Sequence, residues 1–173
     1  MKRLFIAAVA AAAGLAASAG SARADGVEVS GVHLCCGACV RAATQAVSKV
    51  DGVSDAKADR PTKKVTFTAK DEATAKAAKA ALIEAGFFGT FKVDGKDLPE
   101  ATTEAKKTDK VAEVTVKNAH ICCNACKNAA KGLFKDSTVD FPEKNVIKVT
   151  GKDLDAAAIV ETLHKAGFGG KVD

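Results

Sequence analysis

The chain has 173 residues and a formal net charge of +5, and it contains six cysteines but neither Trp nor Tyr. Lys2, Arg3 and Arg23 lie within the first 24 residues, so the remainder of the chain has a net charge near +2. The lysines of that remainder are spread among acids, which argues against a nucleic-acid-binding protein.

The first 24 residues are predicted to be a cleavable signal peptide. A basic start precedes an apolar stretch at residues 4–17, and Ala22-Arg23-Ala24 has the small residues of a cleavage site. The apolar stretch is too short for a confident membrane span, and no other segment approaches the ~20 apolar residues that spanning requires. We expect cleavage after Ala24 and a periplasmic or secreted mature protein without a membrane span.

Hydrophobic periodicity predicts a β-α-β-β-α-β series after the leader. Alternating apolar residues indicate strands, and apolar residues at helical spacing indicate helices. Gly86 is expected to end the second helix. The predicted elements are a strand at 27–34, a helix at 36–49, a strand from 52, a strand at 65–69, a helix at 71–85 and a strand at 91–93.

The same series is repeated in the second half of the chain. Placing Val27 over Val114 aligns two cysteine clusters and also aligns Ala85-Gly86-Phe87 with Ala166-Gly167-Phe168. The predicted elements of the second copy are a strand at 114–121, a helix at 123–135, strands at 139–141 and 146–150, and a helix at 154–165.

This order predicts an α+β protein of two ferredoxin-like βαββαβ domains, each an antiparallel four-stranded sheet with two helices on one face. We place the first domain at residues 25–95 and the second at 111–173. Residues 96–110 between them are polar, contain Pro99 and lack apolar periodicity, which is typical of a linker.

Each unit carries a cysteine cluster where its first strand meets its first helix. The clusters are HLCCGAC at residues 33–39, with Cys35, Cys36 and Cys39, and HICCNAC at residues 120–126, with Cys122, Cys123 and Cys126. In each C-x-x-C the two cysteines lie about one helical turn apart and can face a common ion. Unpaired amides and the positive end of the helix dipole favour the thiolate form there.

These motifs resemble the heavy-metal-associated domain of copper chaperones, metal-pumping ATPases and periplasmic mercury-binding proteins. That family has the βαββαβ fold, with Gly-Met-Thr-Cys-x-x-Cys at the first junction between strand and helix. Cys36-Gly37-Ala38-Cys39 and Cys123-Asn124-Ala125-Cys126 match its two cysteines, and the Ala-Gly-Phe of each copy is similar as well. The resemblance implies that these cysteines bind a soft metal ion, up to one per domain.

The chain departs from the family pattern immediately before the C-x-x-C. Leu34 or Ile121 replaces the Met, and Cys35 or Cys122 replaces the Thr. A third thiolate allows trigonal coordination of Cu(I) or Hg(II).

Each cluster also begins with a histidine, His33 in the first copy and His120 in the second. If the histidines are ligands, Cys3His coordination of Zn(II) becomes available. They could instead be structural, with a hydrogen bond to a loop carbonyl, and the sequence leaves both interpretations open.

Thiol-disulfide exchange by the same C-x-x-C pairs is the alternative hypothesis. A redox enzyme is disfavoured because the chain lacks Trp, neither pair encloses a Pro, and each unit is too short for a thioredoxin arrangement. Disulfides within a cluster would close almost no loop and stabilise little, whereas a bridge between the units stays open.

We therefore predict a non-enzymatic, extracytoplasmic protein that binds, buffers or transfers Cu(I), Zn(II) or Hg(II). It would be a monomer and would exchange metal with a donor or acceptor protein.

Overall fold

The computed structural model describes residues 25–98 and 110–172. The predicted signal peptide and most of the predicted linker lie outside these residues. Within the described residues, no helix combines the length and the apolar character needed to cross a membrane.

The first unit contains two helices and five strands, and its fifth strand adds to the predicted series. The elements are β1 (Asp25–Ser30), α1 (Gly37–Ser48), β2 (Val53–Asp59), β3 (Lys64–Ala69), α2 (Glu72–Glu84), β4 (Thr90–Val93) and β5 (Lys96–Asp97). The strands form one antiparallel sheet in the order β2-β3-β1-β4-β5. Strand β5 and the buried Leu98 lie in the segment for which the sequence predicted a linker.

The second unit repeats the βαββαβ order without the added strand. Its elements are β6 (Val111–Lys117), α3 (Asn124–Leu133), β7 (Thr138–Asp140), β8 (Ile147–Leu154), α4 (Ala156–Lys165) and β9 (Lys171–Val172). They form an antiparallel sheet in the order β7-β8-β6-β9. The prediction of an α+β protein with antiparallel sheets is thus confirmed.

Alternate residues of each first strand are buried against the helices. Val27 and Val29 of β1 and Val114 and Val116 of β6 are at most 3% exposed, while Glu28 between the first pair is partly exposed. This period-2 pattern is the one that the sequence showed, because a strand with one buried face alternates apolar and polar residues.

Both first strands end earlier than predicted, because a residue with positive φ follows each. Gly31 has φ of 79° and Asn118, its counterpart, has φ of 60°. Gly and Asn are among the residues that adopt this left-handed conformation most readily. The chain then leaves the sheet, so each cysteine cluster begins in a loop rather than in an extended strand.

The two units contact each other through backbone hydrogen bonds between equivalent segments. Phe87 and Phe168 form an isolated antiparallel bridge. Near it, Gly169 N–H donates to Gly86 O at 2.8 Å and Phe88 N–H donates to Gly167 O at 3.2 Å. The Ala-Gly-Phe repeats that the sequence alignment singled out are therefore the segments through which the units meet.

Candidate metal centre

The two cysteine loops are supported from below by apolar residues and end at helix N-termini. Leu34 and Ile121, the residues that replace the Met of the family pattern, are buried at 4% and 7% exposed. Cys36 and Cys123 are the N-cap residues of α1 and α3, with extended backbone angles. In each loop the last cysteine therefore falls in the first helical turn and points inward.

The six cysteines of the two loops converge on one cluster of free thiols. Cys35 Sγ lies 3.1 Å from Cys126 Sγ and 3.7 Å from Cys123 Sγ, both in the other unit. Its distance to Cys39 Sγ in its own loop is 3.6 Å. Sulfurs of the two units are thus as close to one another as sulfurs of the same loop.

The cluster has an approximate two-fold symmetry that follows from the duplicated sequence. Cys122 Sγ lies 3.4 Å from Cys39 Sγ and 3.5 Å from Cys36 Sγ, which mirrors the contacts of Cys35 with the other loop. Cys39 and Cys126 lie at its centre, 3.9 Å apart and fully buried. Cys122 is exposed to solvent, so the cluster has a buried centre and an accessible side.

Two of the sulfurs are stabilised as thiolates, one from each unit. The backbone amides of Cys39 and Ala38 lower the pKa of Cys36 to about 6, although its sulfur lies outside the geometry of a full capping hydrogen bond. Burial by itself raises the pKa of Cys126, but hydrogen bonding from the His33 side chain and the Cys122 amide outweighs it and lowers the pKa to about 5.

The remaining shifts keep other thiols protonated in the metal-free protein. Burial, together with hydrogen bonds to neighbouring sulfurs, raises the pKa of Cys35 and of Cys122 far above the usual range. Burial also raises the pKa of Cys39. Protonated thiols next to thiolates can donate hydrogen bonds to them, which favours the charged form of the acceptor.

Each cluster histidine is fixed by the other unit. The backbone N–H of His33 donates to Gly167 O at 3.1 Å, and the His33 ring stacks on Phe168 with centroids 3.9 Å apart. The backbone N–H of His120 donates to Gly86 O at 3.0 Å, and the His120 ring stacks on Phe87 with centroids 4.4 Å apart. The backbone amide and the ring stack thus connect each histidine to the other unit, and whether the rings are structural or metal ligands stays a prediction.

The two histidines differ in whether cysteine sulfurs lie close enough to the ring to share a metal ion with it. A ring nitrogen of His33 and the sulfurs of Cys35 and Cys126 all lie within 4.8 Å of one another. Among the described residues, His120 joins no comparable group, and burial lowers its pKa, which favours the neutral imidazole. Nε2 of both rings is buried and has no hydrogen-bond partner among the described residues.

Two glycines permit the close approach of the units. Gly86 and Gly167 have φ of 88° and 81°. A Cβ on Gly167 would overlap Gly31 O and His33 N, and one on Gly86 would lie 2.6 Å from Asn118 O. Gly86 thus has a second role besides ending α2, and the repetition of Ala-Gly-Phe in both copies is the sequence signal for that role.

His164 is a further contact that sequence reasoning missed. Ile83 occupies the equivalent position in the first unit. In the structure the His164 ring stacks on Phe88 of the first unit at 3.8 Å between centroids, with an interplanar angle of 4°. A contact made by one copy alone leaves no signature in a repeat alignment.

Comparisons with known proteins give a family match for part of the chain. Residues 27–88 match the model of the heavy-metal-associated domain family. A similar solved structure is the water-soluble region of the P-type ATPase CopA from Bacillus subtilis, with 18% identity, 88% of this chain and 93% of that chain covered, and a TM-score of 0.34. A comparison with curated protein sequences gave no match. The family match supports heavy-metal binding or transfer by the first unit.

Proposed function

We propose that the protein binds a soft metal ion outside the cytoplasm and either buffers it or passes it to a partner protein. The observation that carries this proposal is the convergence of Cys35, Cys36, Cys39, Cys122, Cys123 and Cys126 on one cluster. The extracytoplasmic location rests on the signal-peptide pattern of residues 1–24.

The spacing of the sulfurs suits a metal ion. Metal–sulfur bonds of ~2.3 Å at a tetrahedral angle place two sulfurs ~3.8 Å apart. The Sγ–Sγ distances at Cys39 range from 3.4 Å to Cys122 to 3.9 Å to Cys126. Small movements of the side chains would therefore bring these sulfurs to bonding distance around an ion.

Cu(I) is the ion that this donor set favours. Thiolates select soft ions, and a cluster dominated by sulfur suits Cu(I) better than harder divalent ions. Zn(II) becomes competitive if His33 supplies a nitrogen to Cys35 and Cys126, because Cys/His sets are common structural zinc sites. Hg(II) is compatible with the same thiolates.

Transfer to a partner would use the accessible side of the cluster. Cys122 is exposed, and a cavity of about 430 Å³ lies beside Cys122 and Cys123, with Lys127 and Lys144 on its wall. An incoming thiolate can join the ion there before an original ligand leaves. The two lysines would favour an acidic or thiolate-bearing partner surface.

The proposal is tested by counting metals and thiols in protein isolated anaerobically. We expect bound Cu, Zn or Hg by elemental mass spectrometry, with thiols that react only after the metal is removed. A variant with Cys36, Cys39, Cys123 and Cys126 all replaced by Ser should lose tight binding. Stoichiometric metal in that variant would contradict the site assignment, and metal-free wild type would contradict the function.

Thiol-disulfide exchange is a second candidate that one observation favours. Cys35 Sγ and Cys126 Sγ lie 3.1 Å apart, and Cys126 is the thiolate with the most lowered pKa. A thiolate next to a second thiol is the arrangement from which a disulfide forms when an oxidant is supplied. Two or more disulfides in the isolated protein, reducible by a thiol partner, would place this function first.

A further inference from the structure

We propose that the two loops form one polynuclear Cu(I)-thiolate centre shared by both units, in which two or more ions are bridged by common sulfurs. This inference rests on the proposed function and specifies its site. The sequence indicated two separate sites with up to one ion each, whereas the structure brings their sulfurs to contact distance.

The central cysteines lie where bridging ligands would be needed. Cys39 Sγ has sulfurs of its own loop at 3.6 and 3.7 Å and sulfurs of the other loop at 3.4 and 3.9 Å. Cys126 Sγ has a similar environment. The sulfurs of Cys122 and Cys123 in its own loop lie 3.7 and 3.8 Å away, and Cys35 Sγ of the other loop lies 3.1 Å away. A sulfur equally close to both loops can bond to an ion on each side.

An ion bound at one C-x-x-C would lie beside the other loop. Cys36 and Cys39 are separated by 3.7 Å, and Cys122 lies 3.5 and 3.4 Å from their sulfurs. Bonds of ~2.3 Å to the first two sulfurs leave the ion free to turn towards the third. Cys122 therefore completes the coordination of the first loop as readily as Cys35 does.

Charge favours several monovalent ions over one. Six thiolates carry six negative charges, and two of the sulfurs, those of Cys39 and Cys126, belong to fully buried residues. Buried charges are costly unless they are compensated. One Cu(I) ion can compensate only one of these charges, so most sulfurs would have to stay protonated thiols, whereas several Cu(I) ions that share bridging thiolates compensate more of the charge as the thiol protons leave to solvent.

The two loops are held together before any ion binds. His33 N–H and His120 N–H each donate to a carbonyl of the other unit, at Gly167 and Gly86. These bonds fix the backbone two residues before each first cysteine. A centre whose ligands are already positioned loses less entropy on binding.

The decisive test compares two variants that each retain three cysteines. The first retains Cys36, Cys39 and Cys122 and carries Cys35→Ser, Cys123→Ser and Cys126→Ser. The second retains Cys35, Cys36 and Cys39 and carries Cys122→Ser, Cys123→Ser and Cys126→Ser. The two variants share two substitutions and differ only in whether the third thiol comes from the other unit.

Cu(I) is titrated anaerobically into both variants and wild type against a chromophoric Cu(I) chelator. X-ray absorption then counts the sulfurs on copper and detects neighbouring copper ions. We expect a copper–copper distance in wild type and three sulfurs per copper in both variants, with affinities within about threefold of each other. Far-UV circular dichroism confirms that each variant is folded.

The outcomes separate this inference from the proposed function. Wild type with two coppers and no copper–copper distance would overturn the shared centre while leaving metal binding intact. Two-sulfur copper in the first variant alongside three-sulfur copper in the second would also overturn it, because each loop would then use only its own cysteines. Absence of Cu(I) binding in wild type would overturn both.

Discussion

Replacement of Gly167 by Ala should separate the units without touching a cysteine. Gly167 has φ of 81°, and the new Cβ would meet Gly31 O, His33 N and the carbonyl carbon of Val32, the last at 2.8 Å. These are backbone atoms, so no rotamer change can relieve the overlap. The contact between the units must open instead.

The expected loss of stability has three parts. A non-glycine residue in the left-handed region costs about 1–2 kcal/mol. Opening the contact breaks the bonds from His33 N–H and Phe88 N–H to Gly167 O, each with a net value of about 1 kcal/mol. The total is about 3–4 kcal/mol, a large share of the roughly 5–15 kcal/mol that stabilises a typical protein.

Gly95→Ala is the matched control. Gly95 has φ of 79°, almost the value at Gly167, but a Cβ there would have nothing within 4 Å. The Gly95→Ala variant should therefore lose only the about 1–2 kcal/mol of stability that a non-glycine residue in the left-handed region costs. The assay is urea unfolding of metal-free protein, followed by far-UV circular dichroism. Equal losses for the two variants would refute the argument that Gly167 is required for the approach of the units.

Two further results are expected from local chemistry. Alkylation of metal-free protein at pH 7 should label Cys36 faster than the more exposed Cys122, because the pKa of Cys36 is lowered to about 6 and that of Cys122 is raised. Peptide mass spectrometry should show this preference fade below pH 6, as the Cys36 thiolate is protonated; faster labelling of Cys122 at pH 7 would contradict the assignment. Asp155 caps α4 by accepting a hydrogen bond from Ala157 N–H at 2.9 Å. Asp155→Ala should therefore lower the free energy of unfolding by about 1 kcal/mol. Asp155→Asn keeps a capping oxygen and should change the free energy of unfolding little.

The fold of each unit was largely predictable because its signals are local. Alternation in residues 65–69 marked β3, and helical spacing marked α1 and α2 to within a few residues. The end of β1 was placed four residues too late because the apolar Val32 and Leu34 continue the alternating pattern. The positive φ of Gly31 interrupts the strand before them, and a glycine at that point was the available signal.

The meeting of the two loops was not predictable in the same way. It depends on how two folded units pack, and residues that pack across units carry no periodicity in the sequence. The histidines illustrate this limit. Their presence in both copies suggested a common role, but the role involves Phe168 for His33 and Phe87 for His120, each more than 30 residues away along the chain.

Duplication within one chain gives a reason for a shared centre. Two separate copies of a single unit would have to associate before their sulfurs could bind the same ions, and occupancy would then depend on protein concentration. Joining them in one chain makes the encounter intramolecular, so that it no longer depends on protein concentration. The covalent link would therefore let a dilute protein hold a multi-ion site, and dilution should leave the copper–copper distance unchanged. Loss of that distance on dilution, with the total copper per chain retained, would show that the centre forms between chains instead.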